Sequence, residues 1–133
     1  MLDYQDALLG SPLYDLVSLL EDARRDVDPA LRRILIDRWQ QQIDLDSDTF
    51  NRHYIFWGAQ RHCKVAGIFA RLWLRDNKSS YLKHLPRVMR LLEHNLAAPD
   101  MAPLRYWLLD RLPAITHEAL DEDPDHLRGF IEN

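Results

Sequence analysis

Asp48-Thr49-Phe50-Asn51-Arg52-His53-Tyr54-Ile55-Phe56-Trp57-Gly58-Ala59-Gln60-Arg61-His62-Cys63-Lys64-Val65-Ala66-Gly67-Ile68-Phe69-Ala70-Arg71-Leu72-Trp73-Leu74-Arg75 is the stretch on which the fold turns. No proline interrupts it, and none follows until Pro86. Phe50, Tyr54, Trp57, Arg61, Val65, Ile68 and Leu72 recur at helical spacing along one side. Ala59, Cys63, Ala66, Gly67 and Ala70 lie along another, where small side chains let a second helix backbone come close. The pattern predicts one long helix over about 48–75, capped by Ser47, at the centre of a helical bundle.

Helices are predicted on both sides of it. Ser11 followed by Pro12 is a helix start, because the serine can cap and the missing proline N–H costs nothing at the first helical position. That helix is expected over 12–25, with Leu16, Leu19, Leu20 and Ala23 inward. Asp28 and Pro29 repeat the signal for a second helix, whose stripe is Leu31, Ile34, Leu35, Trp39 and Ile43. After a turn at 76–80 and a short turn at Tyr81-Leu82, a helix over 86–96 turns Val88, Met89, Leu91, Leu92 and Leu96 inward. A fifth runs from Pro103 through Leu112 and is ended or bent by Pro113, and 115–133 carries a further turn or two of helix with an acidic break at 121–125. With four glycines and no alternating run, no strand is expected beyond residues 1–4. The expectation is an all-α bundle of about five to six helices with at most a short N-terminal strand remnant, residues 1–133 forming a single helical domain.

Composition narrows the function. At 133 residues, 47% hydrophobic and 29% charged, the chain can bury a core as soluble domains do. A net charge of −4 lacks the basic surface that phosphate neutralisation requires, which argues against nucleic acid as a partner. Cys63 stands alone, so there is neither an intrachain disulfide nor a thiolate metal cluster. No run is long enough to span a membrane and no signal peptide is visible, which makes the cytoplasm the default location. The histidines lack metal-ligand spacing. Asp44, Asp46 and Asp48 begin like a calcium loop, but Thr49 stands where glycine is required and Ile55 at the twelfth position; Asp121, Asp123 and Asp125 fail through Pro124 and His126. No serine has a nucleophile-elbow context.

Chemistry enters at the N-terminus. Leu2-Asp3-Tyr4-Gln5-Asp6-Ala7, then Gly10-Ser11-Pro12 and Tyr14-Asp15-Leu16-Val17-Ser18-Leu19-Leu20, resembles the metal-binding segment of the aminoglycoside phosphotransferase and choline kinase-like family. Trp57-Gly58-Ala59-Gln60-Arg61-His62, Lys64 to Leu72, Arg75 to Lys78, Tyr81-Leu82 and Leu85 to Val88 are similar to its branch that phosphorylates N-acetylmuramate and N-acetylglucosamine in cell-wall recycling. The resemblance covers about residues 2–96 and implies the C-terminal, substrate-binding part of a small-molecule phosphotransferase. It implies that Asp3 is a metal ligand, as the Asp-Phe-Gly aspartate is in protein kinases, and that Asp15 gives structural support; Asp6 either supports the metal aspartate from behind or is a surface acid. It further implies magnesium and ATP in the intact family enzyme and a sugar as substrate. No strand lysine and no His-Gly-Asp-x-x-x-x-Asn loop occurs in these 133 residues, so neither cofactor is expected to bind tightly to this chain alone, and the chain is expected to be inactive by itself, with no catalytic residue of its own.

Gln60, Arg61 and His62 form a polar cluster in an otherwise apolar helix and are the candidate substrate-binding residues. Because an unpaired buried arginine is costly, Arg61 either pairs with Asp15, Glu21 or Asp22 or faces a cleft where sugar hydroxyls or an acidic sugar group meet it. The alternative function is a non-catalytic helical interaction module, or a truncated gene product, that homodimerises or pairs with a missing N-terminal lobe through uncovered apolar surface.

Overall fold

In the computed structural model residues 10–111 are described, and their helix starts follow from local chemistry. Ser11 Oγ accepts the Leu13 N–H at 3.3 Å and opens α1 (Pro12–Leu20). Asp28 Oδ1 accepts the N–H groups of Ala30 and Leu31, both at 3.0 Å, and opens α2 (Pro29–Gln40). The long helix is α3 (Ser47–Asp76), whose cap is Asp46 and not Ser47: its Oδ1 takes the Thr49 N–H at 2.9 Å. Hydrogen bonds with Thr49 hold the exposed Asp46 carboxyl below its ordinary pKa, as suits a cap. At the other end Asn77 adopts a left-handed conformation, φ 54°, and the Lys78 N–H closes back on the Leu72 carbonyl at 3.0 Å. A 3-10 helix at Ser79–His84 leads into α4 (Leu85–Leu96), and a second at Pro99–Met101 leads into α5 (Ala102–Arg111).

The result is the expected all-α architecture, with five α-helices and no strand among the described residues. The strand remnant expected at 1–4, the expected end of the fifth helix at Leu112 and Pro113, and the tail at 115–133 lie outside the described residues.

Packing divides α3 into two halves. Phe50 and Tyr54 near its start are buried with Leu13, Leu16, Val17 and Leu20 of α1. Ala59, Phe69 and Trp73 further along are buried with Val88, Met89, Leu92 and Leu96 of α4 and with Leu82 of the 3-10 turn. Phe69 and Trp73 belonged to neither predicted stripe. α2 lies more loosely, with no buried residue of its own, and reaches the first core through Leu35, Ile36 and Trp39.

Four expectations are corrected. α1 stops at Leu20 rather than Arg25, because Asp22 Oδ1 takes the Arg24 N–H at 2.7 Å while Arg87 of α4 donates to the carbonyls of Asp22 and Arg25 at 2.9 and 2.8 Å. The carbonyls freed from the helix thus find donors across the bundle. Leu19 is 57% exposed, since the buried stripe is Leu13, Leu16, Val17 and Leu20. On α2, Leu31 and Ile34 also face outward. The small-residue face of α3 is used at Gly58 and Ala59, where α4 brings the Asn95 amide against the glycine; beside Gly67 there is open space.

Candidate functional site

Polar residues standing on apolar stripes meet where the two cores adjoin. Glu21 continues the α1 stripe by one residue, His62 sits between Ala59 and Phe69 on α3, and Asn95 follows Val88 and Leu92 on α4. All three are at least 98% buried, with relative exposures of 1%, 1% and 2%. Arg32 of α2 forms an ion pair with Glu21 Oε1 and donates to the Tyr54 hydroxyl at 3.3 Å. Asn95 Nδ2 lies 3.3 Å from Glu21 Oε2 and 3.2 Å from His62 Nδ1. One amide nitrogen has two protons, so it can donate to both. That assigns Nδ1 of His62 as the acceptor and leaves its proton on Nε2, 3.5 Å from Glu21 Oε2 and outside hydrogen-bond geometry.

Two protonation states follow. Burial first, and then the neighbouring Glu21 carboxylate, pushes the Tyr54 hydroxyl well above its ordinary pKa, so it stays a neutral donor. Burial depresses the His62 pKa more than the Glu21 charge restores it, and Arg61 and Arg32 lower it further. A proton on Nδ1 would also oppose the Asn95 donor. The unfolded histidine, near pKa 6.5, therefore binds more protons than the folded one in the window just below that value. Stability contributed by the neutral ring is fully present above about pH 6.5 and is lost as pH falls toward the depressed folded value. Urea unfolding between about pH 8 and about pH 5 is expected to show this loss, and His62→Gln to flatten it. An identical slope in both proteins would contradict the assignment.

The three candidate substrate residues do not share a surface. Gln60 is exposed, Arg61 is half-buried beside α1, and His62 points into the core. Consecutive helical residues are about 100° apart, so three in a row spread around the axis. Among the described residues no carboxylate pairs with Arg61; Glu21, one of its expected partners, is held by Arg32 instead. Arg61 Nη1 approaches the Tyr14 hydroxyl at 3.5 Å, and Lys64 Nζ approaches the same oxygen at 3.4 Å. The edge of Tyr14 meets Trp57, with ring centroids 5.9 Å apart. Trp57, Arg61 and Lys64 follow at i, i+4 and i+7, which puts them on one side of α3. Asp15 is exposed in the first turn of α1, where a carboxylate meets the positive end of the helix dipole.

Asp3 and Asp6 lie outside the described residues. Among the described residues no three His, Cys, Asp or Glu gather into a group able to hold a metal ion, and no helix is long and apolar enough to cross a membrane. Sequence reasoning missed Glu21, Arg32, Tyr54 and Asn95 as a connected group. The available signal was a glutamate and an asparagine falling in phase with leucines and valines.

No family model matches the chain. Among curated proteins, the N-acetylmuramate/N-acetylglucosamine kinase of Caulobacter vibrioides is 39% identical over 117 residues, 87% of this chain and 32% of its own length. The enzymes of the same name from Neisseria meningitidis and Pseudomonas aeruginosa are each 38% identical, over 83% and 78% of this chain and 35% and 33% of theirs. The chain is thus similar along most of its length to sugar kinases, and spans about a third of the curated relatives it matches.

Proposed function

We propose that this chain is the C-terminal, substrate-binding part of an ATP-dependent phosphotransferase of the aminoglycoside phosphotransferase and choline kinase-like family, acting on a sugar or amino sugar in the cytoplasm. The observation that carries the reading is the 38–39% identity to kinases of amino sugars over more than four fifths of the chain. Support comes from the Tyr14, Trp57, Arg61 and Lys64 face, where an aromatic pair beside hydrogen-bond donors suits a ligand that is apolar on its ring faces and polar at its rim.

Phosphoryl transfer depends on positioning and on magnesium neutralising the charge of the nucleotide phosphates. The described helices supply no such metal group. Asp3 is the residue we assign to the metal, with Asp6 and Asp15 in support, and Arg61 toward the sugar; Gln60 faces solvent on another side of α3 and His62 holds its place from inside the core. The isolated chain, without the catalytic loop, would bind sugar and leave ATP intact. Purified chain incubated with ATP, magnesium and N-acetylglucosamine is expected to form no sugar phosphate above the uncatalysed rate. Magnesium-dependent turnover would refute that.

A second reading, a helical interaction module or truncated product that homodimerises or takes up a separate nucleotide lobe, is favoured by one observation. Leu31 and Ile34 on α2, and Tyr106, Trp107 and Leu109 on α5, are exposed large apolar side chains. Light scattering on the same sample separates the readings, since a monomer at all concentrations counts against self-association.

A further inference from the structure

Two cations converge on one phenol oxygen on the outer side of α3, and among the described residues no acid balances either of them. The Tyr14 hydroxyl lies within 3.5 Å of Arg61 Nη1 and 3.4 Å of Lys64 Nζ, and both cationic groups lie 5.7 Å from its ring centre. A phenol oxygen that accepts from both neighbours still has its own proton to donate. Three kinds of donor therefore point into one small region: the tyrosine O–H, the remaining guanidinium N–H groups and the ammonium. Trp57 meets Tyr14 edge-on, and the exposed Phe56 meets Trp57 edge-on at 5.5 Å, which gives that region an aromatic flank.

The chemistry that fits such a region is a carboxylate, which only accepts hydrogen bonds and carries the missing charge. A neutral hydroxyl could take one donor, but would leave both positive charges, the half-buried Arg61 among them, without a counter-charge. The relatives are named for two substrates that share a ring and differ in one respect that matters here. N-acetylmuramate carries a carboxylate on an ether side chain, and N-acetylglucosamine does not.

We propose that Arg61 and Lys64, gathered around the Tyr14 hydroxyl, receive the carboxylate of an acidic amino sugar and set the preference of this site for an acidic over a neutral sugar. The inference rests on the sugar-binding reading given above. It makes Arg61 and Lys64 specificity residues and gives Tyr14 the task of holding the two cations at one spacing. Gln60, on the solvent side, and His62, in the core, take no part in the discrimination.

The test is a titration of the full 133-residue chain with N-acetylmuramate and, separately, N-acetylglucosamine, followed by calorimetry and by the backbone and arginine side-chain NMR signals. N-acetylmuramate is expected to bind more tightly, to shift Arg61, and to weaken as salt is raised. The exposed Lys64→Gln and the double variant Arg61→Gln/Lys64→Gln are expected to weaken N-acetylmuramate about tenfold to a hundredfold and N-acetylglucosamine by a clearly smaller factor, so that the preference for the acidic sugar falls. Circular dichroism of each variant checks that the fold is kept. Equal binding of both sugars, unaltered by the variants, would overturn the inference and leave the sugar-binding reading standing. Failure of both sugars to bind would overturn both.

Discussion

Replacing Arg32 with methionine is expected to lower the stability of the chain by about 3 kcal/mol, seen as a fall in Tm of roughly 10–20 °C. The substitution keeps the apolar stem and removes the cation. Glu21, 1% exposed, would then hold a charge with one donor from Asn95 and little solvent. Breaking a buried pair from one side costs about 3–5 kcal/mol, and the 30% exposure of the Arg32 side chain places this case at the lower end, because water can reach part of the gap. Glu21→Gln should be milder, at about 1–2 kcal/mol, since the half-exposed arginine it releases can turn to solvent. The order of the two variants is the informative result. α2 has no buried residue and depends on this pair together with Leu35, Ile36 and Trp39, so its amides should exchange faster in Arg32→Met. His62 should change with it. Arg32 is one of the charges that now lower its pKa, and an unbalanced Glu21 would favour the imidazolium. In Arg32→Met the folded pKa should therefore rise, weakening or reversing the loss of stability at acid pH. A loss below about 1 kcal/mol with an unchanged pH profile would show that the pair is a surface contact in effect.

Gly58→Ala is expected to destabilise by about 2–4 kcal/mol, although alanine is the better helix former by about 1 kcal/mol. A Cβ at Gly58 would meet the Asn95 amide, with Cγ at 3.0 Å and Oδ1 at 3.1 Å and the nitrogen nearer still. Asn95 is short, 2% exposed and tied to Glu21 and His62, so it cannot move aside without giving up those bonds. Strain between α3 and α4 and a disrupted polar group thus act together. Gly67→Ala is the control: nothing stands within 4 Å of a Cβ there, and the same change should stabilise by about 0.5–1 kcal/mol. Chemical denaturation of the two variants beside the parent gives opposite signs if the geometry is right. Equal effects would mean that α4 does not approach α3 at Gly58.

The helical content was readable because its signals are short in range. Ser11-Pro12 and Asp28-Pro29 mark starts with an oxygen and a fixed φ angle, and both starts occur where those residues stand. The long uninterrupted run was read to within a residue at each end, while its cap was placed one residue late, since Asp46 and Ser47 are both good capping residues. Less was readable about direction. Leu19 and Leu20, or Ile34 and Leu35, are equally apolar, and only the neighbour across the interface selects which one is covered. The candidate site was readable as residue types and not as a surface: Arg61 stood out in the sequence, whereas its company with Tyr14 and Lys64 depends on how α1 lies against α3.

The sequence by itself determined where helices begin, how long the central one runs and that no strand is needed among residues 10–111, because hydrogen bonds and side-chain periods within a few residues decide these. The tertiary structure alone decided that α1 stops at Leu20, that Glu21 turns to Arg32, and that Asn95, 74 residues away from Glu21, completes the buried group. Desolvation is the reason. A charged group on an apolar stripe must find its partners wherever the packed helices bring them, and no local pattern names a partner that far along the chain.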